Sequence, residues 1–357
     1  MINFTCACGN ALFFENSRCL QCQRDVGYAA EENRMVVLDQ ENGWKRCSNG
    51  IQYGVCNWAI PADAPQDRCR SCQFTRTVAD LTIPAHLTAW QKLETAKRRV
   101  LQTILRLGLQ PVSWMEYADG LGFDFLAPSP IARITTGHSG GVITLNINEA
   151  NDAYRENERQ ALGEPYRTLI GHFRHEVGHY FWDRFFKGAF DDNPDLIEFR
   201  QLFGDERIDY AASLQNHYQG GIHPTDPSAF ITTYASVHPW EDWAETWAQY
   251  LHLTDALETV RTFGWKSEAV PFQFTPLEAK AVFADGVKPD LPFLKDVNDW
   301  ARIAPAFNEI AASLGHANLY PFVLSPKIVQ KIHFVHRTVQ RLSKQSGPSE
   351  PAKTAAA

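Results

Sequence analysis

The amino-acid sequence predicts an α+β protein, in which a small cysteine-rich module of short strands precedes a mostly helical domain with a small sheet. Three observations support this class. All eight cysteines lie between Cys6 and Cys72, and the rest of the 357-residue chain contains none. After Pro84, apolar residues recur at helical steps of three and four, and one segment alternates like a strand. The length suggests about two domains, which we place at 1–75 and 80–342.

Composition and charge narrow the class of protein further. The chain carries 34 Lys and Arg against 41 Asp and Glu, for a net charge of −7, and 44% of its residues are hydrophobic. This apolar content suffices for a large core and excludes a disordered or collagen-like chain. Charges interrupt every apolar stretch before it reaches the length of a membrane span, and the N-terminus lacks the pattern of a secretory signal. We therefore expect a cytoplasmic protein without membrane contact.

The cysteines form four closely spaced pairs, which are typical of zinc ligands. The pairs are Cys6-x-Cys8, Cys19-x2-Cys22, Cys47-x8-Cys56 and Cys69-x2-Cys72. Two pairs of thiolates complete a tetrahedral zinc site, whereas a reducing cytosol disfavours disulfides. Sequence order favours one site of Cys6, Cys8, Cys19 and Cys22 and a second of Cys47, Cys56, Cys69 and Cys72, although an interleaved pairing fits the same spacing. We expect both sites to be structural, because so small a module builds little core.

The charge of this module argues against a nucleic-acid partner. Residues 1–72 hold 7 Lys and Arg and 8 Asp and Glu, so the basic surface that binds phosphate backbones is missing. If the module has a partner, we expect a protein.

Helix signals dominate the second domain. The first helix is predicted over about 23 residues from Pro84, with Gly108 as its C-terminal cap. Further helices are expected around Pro165 to Lys187, Pro194 to Tyr218, Pro239 to Phe263 and Pro326 to Leu342. The β-branched run Val142 to Ile147, after two glycines, predicts a strand. The small and polar residues 343–357 predict a disordered tail.

The second of these helices contains the motif His175-Glu176-Val-Gly-His179. Residues four apart lie on one helix face, about 6 Å from each other, so both imidazoles can bind one zinc ion while Glu176 lies beside it. Aromatic neighbours indicate that the helix is buried, which suits a metal site shielded from water but also a pair of core histidines. We favour a catalytic zinc site, with Glu176 as the general base and His172 as a packed histidine nearby.

An open zinc site needs a third protein ligand, and two acidic pairs are candidates. Glu241 and Glu245 lie four apart at the start of the next-but-one predicted helix, so one carboxylate can bind zinc while the other accepts a hydrogen bond from a ligand histidine. Tryptophans around them argue for burial, and two buried glutamates without a cation would be costly. Asp205 and Asp209 have the same spacing and follow His179 by 26 residues. We favour Glu241, with Asp205 as the alternative.

These segments resemble those of known metallopeptidases. In the gluzincins, H-E-x-x-H is followed by a helix with E-x-x-x-E, as in Glu241-Asp-Trp-Ala-Glu245 here. Some gluzincins also carry a tyrosine seven residues before the ligand glutamate, where this chain has Tyr234, and Asp242 departs from their usual aromatic residue. With the cysteine pairs and the segment 202–210, the chain looks like a bacterial family of zinc-binding metallopeptidases that has an N-terminal zinc-ribbon domain.

The resemblance implies a gluzincin-like catalytic domain with one catalytic zinc ion in addition to two structural ones. It also implies that Tyr234 donates its hydroxyl to the oxyanion formed during hydrolysis. The expected reaction is cleavage of a protein or peptide substrate by a zinc-activated water, with Glu176 as base. The strand Val142 to Ile147 could bind that substrate by edge pairing or be an internal strand. Isopeptidase or amidase action at the same zinc ion, and a non-catalytic zinc-ribbon regulator, are the alternatives.

Overall fold

The computed structural model describes residues 3–39, 41, 43–131, 133–162, 166–220, 226–284, 286 and 288–345. The predicted α+β class is confirmed, because short strands build the N-terminal region, and helices with a small sheet make up the rest of the described residues. None of the described helices has an apolar stretch long enough to cross a membrane.

Antiparallel strand pairs and short helices build the described part of the N-terminal module. The pairs are β1 (Phe4–Thr5) with β2 (Ala11–Leu12), β3 (Val26–Ala29) with β4 (Arg34–Val37), and β5 (Trp44–Arg46) with β6 (Ala59–Pro61), and the helices are α1 (Ser48–Tyr53) and α2 (Arg70–Gln73). Phe14, Tyr28 and Trp58 pack edge to face, with ring centroids 4.9 to 6.5 Å apart. The module therefore has a small aromatic core besides its cysteines.

A four-stranded sheet follows the module. Its strands are β7 (Thr75–Val78), β8 (Gly122–Leu126), β9 (Gly137–Ser139) and β10 (Val142–Asn146), in the order β7-β8-β10-β9. The predicted strand is confirmed as β10, but it pairs with β8 on one side and β9 on the other. The prediction that this strand binds substrate along a free edge is therefore wrong, because both of its edges are paired. The reason is the two-glycine turn before β10, because Gly140 and Gly141 have φ angles of 53° and 82° and form a tight hairpin.

Helices make up most of the second domain. They are α3 (Pro84–Arg106), α4 (Asp152–Leu162), α5 (Leu169–Phe186), α6 (Pro194–Phe203), α7 (Tyr210–Gly220), α8 (Pro239–Thr262), α9 (Ala279–Val282), α10 (Leu291–Ser313) and α11 (Pro326–Gln345), with 3₁₀ turns at Ile147–Ala150, Tyr234–Val237 and Ser267–Ala269. The contact between α5 and α8 is the most extensive of the helix–helix contacts that the structure describes. Gly178 on α5 permits this approach, because a Cβ atom there would lie 3.1 Å from Ala244 Cα on α8.

Three predicted helices agree closely with the structure. α3 begins at Pro84 and is followed by Gly108 with a φ of 79°, and α8 begins at Pro239. α11 begins as predicted but continues to Gln345. The first three residues of the expected tail 343–357 are therefore helical, and residues 346–357 lie outside the described part of the chain.

The expected helix from Pro165 starts later than predicted. α5 begins at Leu169, after Thr168, whose hydroxyl accepts a hydrogen bond from Gly171 N over 3.1 Å. Such a side-chain cap satisfies one of the free N–H groups at a helix start. Pro165 itself lies outside the described residues.

The single helix predicted from Pro194 to Tyr218 is wrong, because the structure has two helices there, α6 and α7. Gly204 ends α6 with φ 104° and ψ 179°, a conformation almost restricted to glycine. The chain then turns through Asp205 to Asp209 before α7 begins. Asp205 and Asp209 therefore lie in the turn between α6 and α7, and the prediction that both belong to one helix is wrong.

The module and the helical domain share a core. β7, at the predicted boundary between residues 75 and 80, pairs with β8. On α3, the buried Lys97 lies 2.8 Å from Glu94 and also donates to Thr75, while Arg98 donates to the carbonyl oxygen of Val55 in the module. α3 therefore connects the cysteine-rich module to the rest of the chain.

Candidate metal centres and active site

The eight cysteines form two clusters that fit four-coordinate zinc. Cys6, Cys8, Cys19 and Cys22 make one cluster and Cys47, Cys56, Cys69 and Cys72 the other, and the sulfur atoms of each lie within 4.8 Å of one another. Individual Sγ–Sγ distances are 3.7, 3.6 and 3.5 Å, close to the roughly 3.8 Å expected for four sulfurs about 2.3 Å from zinc. The structure therefore supports the sequential grouping of the cysteines over the interleaved one.

Hydrogen bonds favour the thiolate form of two of these cysteines, Cys22 and Cys47. Cys69 N donates to Cys47 Sγ over 3.3 Å, and a hydrogen bond from Arg24 lowers the pKa of Cys22 to about 6. Each cluster offers four sulfur ligands, which fill a tetrahedral ion and leave no position for a substrate. This donor set is typical of structural zinc.

The residues just before Glu241 fix the start of α8. His238 Nδ1 accepts a hydrogen bond from Trp240 N over 3.0 Å, and Pro239 occupies the first turn. On its other side, His238 Nε2 donates to the carbonyl oxygen of Ile208 over 3.1 Å. Both ring nitrogens therefore have backbone partners, so His238 caps the helix and does not face the metal cluster.

Three buried side chains of α5 and α8 converge on one point. His175 Nε2 lies 3.0 Å from Glu241 Oε2 and 3.1 Å from His179 Nε2, and His179 Nε2 lies 3.4 Å from Glu241 Oε2. Ligands about 2.0 to 2.1 Å from a tetrahedral zinc ion are about 3.4 Å apart. Glu241 Oε2 is buried and has no hydrogen-bond partner among the described residues. Because such an oxygen is costly without a cation, this donor set fits zinc.

The charge state of Glu241 also suits a ligand. Burial alone would raise its pKa, but the neighbouring side chains of His179 and His175 hold that pKa well below its ordinary value. The carboxylate is therefore ionised at neutral pH, as a zinc ligand must be.

Two further side chains orient these ligands. His175 Nδ1 donates to Glu245 Oε1 over 2.7 Å, which leaves the lone pair of Nε2 directed at the cluster. Tyr210 donates its hydroxyl to Glu241 Oε1 over 2.6 Å. The E-x-x-x-E spacing had suggested the Glu245 contact, whereas sequence reasoning missed Tyr210, which lies 31 residues before its partner.

We expect Tyr210→Phe to weaken zinc binding at this cluster by about 10- to 100-fold, because a hydrogen bond that orients a metal ligand is typically worth that much affinity. Competition with a chromogenic chelator would measure the change. Tyr117→Phe, which alters an exposed tyrosine, is the matched control. Equal zinc affinity in the two variants would show that Tyr210 does not support the site.

Glu176 and Tyr234 line a cavity of about 770 Å³ that also borders His175. The ring centroids of Tyr234 and His175 are 5.9 Å apart. Burial raises the pKa of Tyr234 well above its ordinary value, so its hydroxyl stays protonated and can donate. Burial would raise the pKa of Glu176 as well, but a hydrogen bond from His172 and the nearby imidazoles lower it. The Glu176 carboxylate is therefore ionised and can accept a proton.

Asp205 lies away from this cluster. Its side chain is exposed on the protein surface and forms two hydrogen bonds with Arg207, each 2.8 Å long. These bonds lower the pKa of Asp205. The geometry therefore gives Asp205 a surface ion pair with Arg207 and brings Glu241, not Asp205, to His175 and His179.

Asp242, the departure from the aromatic residue usual in the resembling families, has a buried partner. Lys331 on α11 lies 2.5 Å from Asp242 Oδ2 and 2.7 Å from the carbonyl oxygen of Ala229. Its ammonium also lies 4.4 Å from the ring centroid of Phe230. Lys331 therefore ties the first turn of α8, next to Glu241, to α11.

We expect Lys331→Met to destabilise the fold by about 1 to 3 kcal/mol, because burial raises the pKa of Asp242 to about 7 even beside Lys331, and the protonated Asp242 and the carbonyl oxygen of Ala229 would both lose their buried donor. Denaturant unfolding would measure this loss. Lys327→Met, an exposed position on the same helix, should change the free energy of unfolding by less than about 0.5 kcal/mol. A similar small effect for Lys331→Met would contradict the assignment.

Comparison with known proteins covers almost the whole chain. Residues 86–338 match a family described as "Putative zinc-binding metallo-peptidase", and residues 3–83 match a zinc-ribbon domain. Relatives from Mycobacterium bovis and Mycobacterium tuberculosis, both named as uncharacterised proteins, are 36% identical over 356 residues, which is 99% of this chain and all of each relative. No solved structure matches this chain.

Proposed function

Because the chain belongs to this family of zinc-binding metallopeptidases, we propose that it is a hydrolase that cleaves peptide bonds at the cluster of His175, His179 and Glu241. The observation that carries the proposal is the convergence of these three buried side chains beside a cavity that Glu176 also lines. We further propose one catalytic zinc ion at this cluster and one structural ion in each cysteine cluster.

The residues of the cavity have distinct roles in this proposal. Zinc held by the three ligands would act as a Lewis acid that lowers the pKa of water and polarises the scissile carbonyl. Glu176 takes a proton from the attacking water and returns it to the leaving amine. Tyr234 donates its hydroxyl to the carbonyl oxygen as negative charge develops there. Glu245 and Tyr210 keep His175 and Glu241 in the orientation that the reaction needs.

A protein or peptide is the substrate class that this chemistry supports. The same donor set could hydrolyse an isopeptide bond, because the choice of amide depends on the shape of the cavity. A role of the zinc-ribbon module in binding a protein partner stays a prediction. A purely regulatory role is less well supported, because the complete motif His175-Glu176-x-x-His179 borders a large cavity.

A peptide library tests the proposal. Full-length, zinc-loaded protein would be incubated with peptides made by digesting a bacterial lysate, and mass spectrometry would identify new termini. We expect cleavage by the wild type that 1,10-phenanthroline abolishes and that His175→Ala lacks. Cleavage of ε-linked lysine peptides alone would favour the isopeptidase. If neither the lysate peptides nor the ε-linked lysine peptides are cleaved, the result would favour the non-catalytic alternative.

A further inference from the structure

His172 lies on α5 between two buried carboxylates. Its Nε2 is 3.3 Å from Glu176 Oε1, one helical turn further along the same face, and its Nδ1 is 3.5 Å from Glu149 Oε2. Burial alone would lower the pKa of His172, but the two carboxylates outweigh burial and raise that pKa to about 9. At neutral pH, the imidazole is therefore charged: its Nε2 faces Glu176, and its Nδ1 forms an ion pair with Glu149 without a hydrogen bond between them.

Glu149 is itself held firmly. It belongs to the 3₁₀ turn Ile147–Ala150, which directly follows β10, and its side chain is buried. Arg167 binds its other oxygen, Oε1, over 2.9 Å, and Arg155 donates to its backbone carbonyl oxygen. The end of β10 therefore fixes Glu149, and Glu149 in turn faces the Nδ1 side of His172.

The two oxygens of Glu176 consequently differ. Oε1 faces His172, whereas Oε2 is buried and makes no hydrogen bond within the described part of the chain. We propose that His172, anchored by Glu149, is a positioning residue that holds Glu176 Oε1 and thereby leaves Oε2 to accept the proton of the attacking water. This inference rests on the proposed peptidase function and adds two residues, Glu149 and His172, to those on which the rate depends.

A merely structural role makes a different prediction. If His172 only neutralised two buried carboxylates, its removal would lower stability or zinc content and would not affect kcat selectively. Positioning predicts a loss in kcat with KM and zinc content retained, because moving a reacting group by about 1 Å can cost about 100-fold in rate.

The kinetic test uses the full-length, zinc-loaded protein and the fastest-cleaved library peptide, resynthesised with a fluorophore and a quencher. We expect His172→Ala to lower kcat by about 10- to 100-fold with KM unchanged. His172→Gln should recover part of this loss, because its amide can still donate to Glu176. His316→Ala, at an exposed position, should leave kcat unchanged.

Glu149→Gln tests the anchor. We expect a smaller loss of kcat than for His172→Ala, because the amide keeps the shape of the side chain but lacks its charge. Since Glu149 acts through His172, the substitution should cost less in the His172→Ala background than alone. If Glu149→Gln lowered kcat by the same factor in the His172→Ala background as it does alone, Glu149 would not act through His172.

A structural measurement keeps the inference independent of activity. Crystal structures of the zinc-loaded wild type and of His172→Ala should show that the Glu176 carboxylate turns away from its original position in the variant. An unmoved Glu176, or an unchanged kcat in His172→Ala, would overturn the inference. If the wild type cleaves no peptide, the proposed function fails, and the position of Glu176 in the two crystal structures alone decides the role of His172.

Discussion

Glu176→Gln is expected to lower peptide hydrolysis by about two to four orders of magnitude while zinc binding is retained. The amide keeps the size of the side chain and can still accept a hydrogen bond from His172, but it cannot take a proton from water. Glu176 is not among the three converging ligands, so the metal cluster keeps its donors. The cleavage rate of the best library peptide and the zinc content per chain would be measured together.

Glu158→Gln is the matched control for this variant. Glu158 lines the same cavity but lies on α4, outside the proposed catalytic machinery. We expect its substitution to change the rate by less than about threefold. A rate for Glu176→Gln that stays within about tenfold of the wild type would remove Glu176 as the general base.

Glu241→Ala is expected to abolish both activity and zinc binding at the α5–α8 cluster. The wild type should carry three zinc ions per chain, one for each cluster of converging ligand atoms, and this variant should retain two. The loss follows because an open zinc site needs three protein ligands, and the two remaining imidazoles would hold the ion weakly. Inductively coupled plasma mass spectrometry after dialysis would measure the zinc content.

Asp205→Ala separates the two ligand assignments in the same measurement. Because Asp205 is exposed and paired with Arg207, we expect this variant to keep three zinc ions and full activity. Loss of one ion from Asp205→Ala, with three retained by Glu241→Ala, would reverse the assignment of the third ligand.

The parts of the site that the sequence could predict are those set by local spacing. Residues four apart share a helix face, which brings His175 and His179 together and places Glu245 one turn beyond Glu241. Cysteine pairs separated by short loops are likewise local, so their sequential grouping followed from chain order. These contacts need only the helix or hairpin to form.

The contacts that the sequence could not predict join distant segments. Tyr210 reaches Glu241 because α7 packs beside the start of α8, and Glu149 reaches His172 because the end of β10 lies over α5. Lys331 meets Asp242 across 89 residues. Such pairings depend on tertiary packing, for which no repeating pattern in a single sequence provides a signal.

Two errors in the predicted helices have local causes. The break between α6 and α7 depends on the backbone conformation of Gly204, and a glycine in a helical pattern is also compatible with an unbroken helix. α10 was missed although Asp290 caps it and a proline lies in its first turn. Its internal Pro305 is a residue that normally ends a helix, so the segment does not look like one continuous helix in the sequence.

An anomalous difference map, recorded at the zinc absorption edge from crystals of the full-length protein, tests the three metal sites most directly. We expect three peaks per chain: one in each cysteine cluster, and a third bounded by His175, His179 and Glu241, with Glu176 facing it from the cavity. A map with peaks in the cysteine clusters alone, or with the third peak beside Asp205, would contradict this expectation.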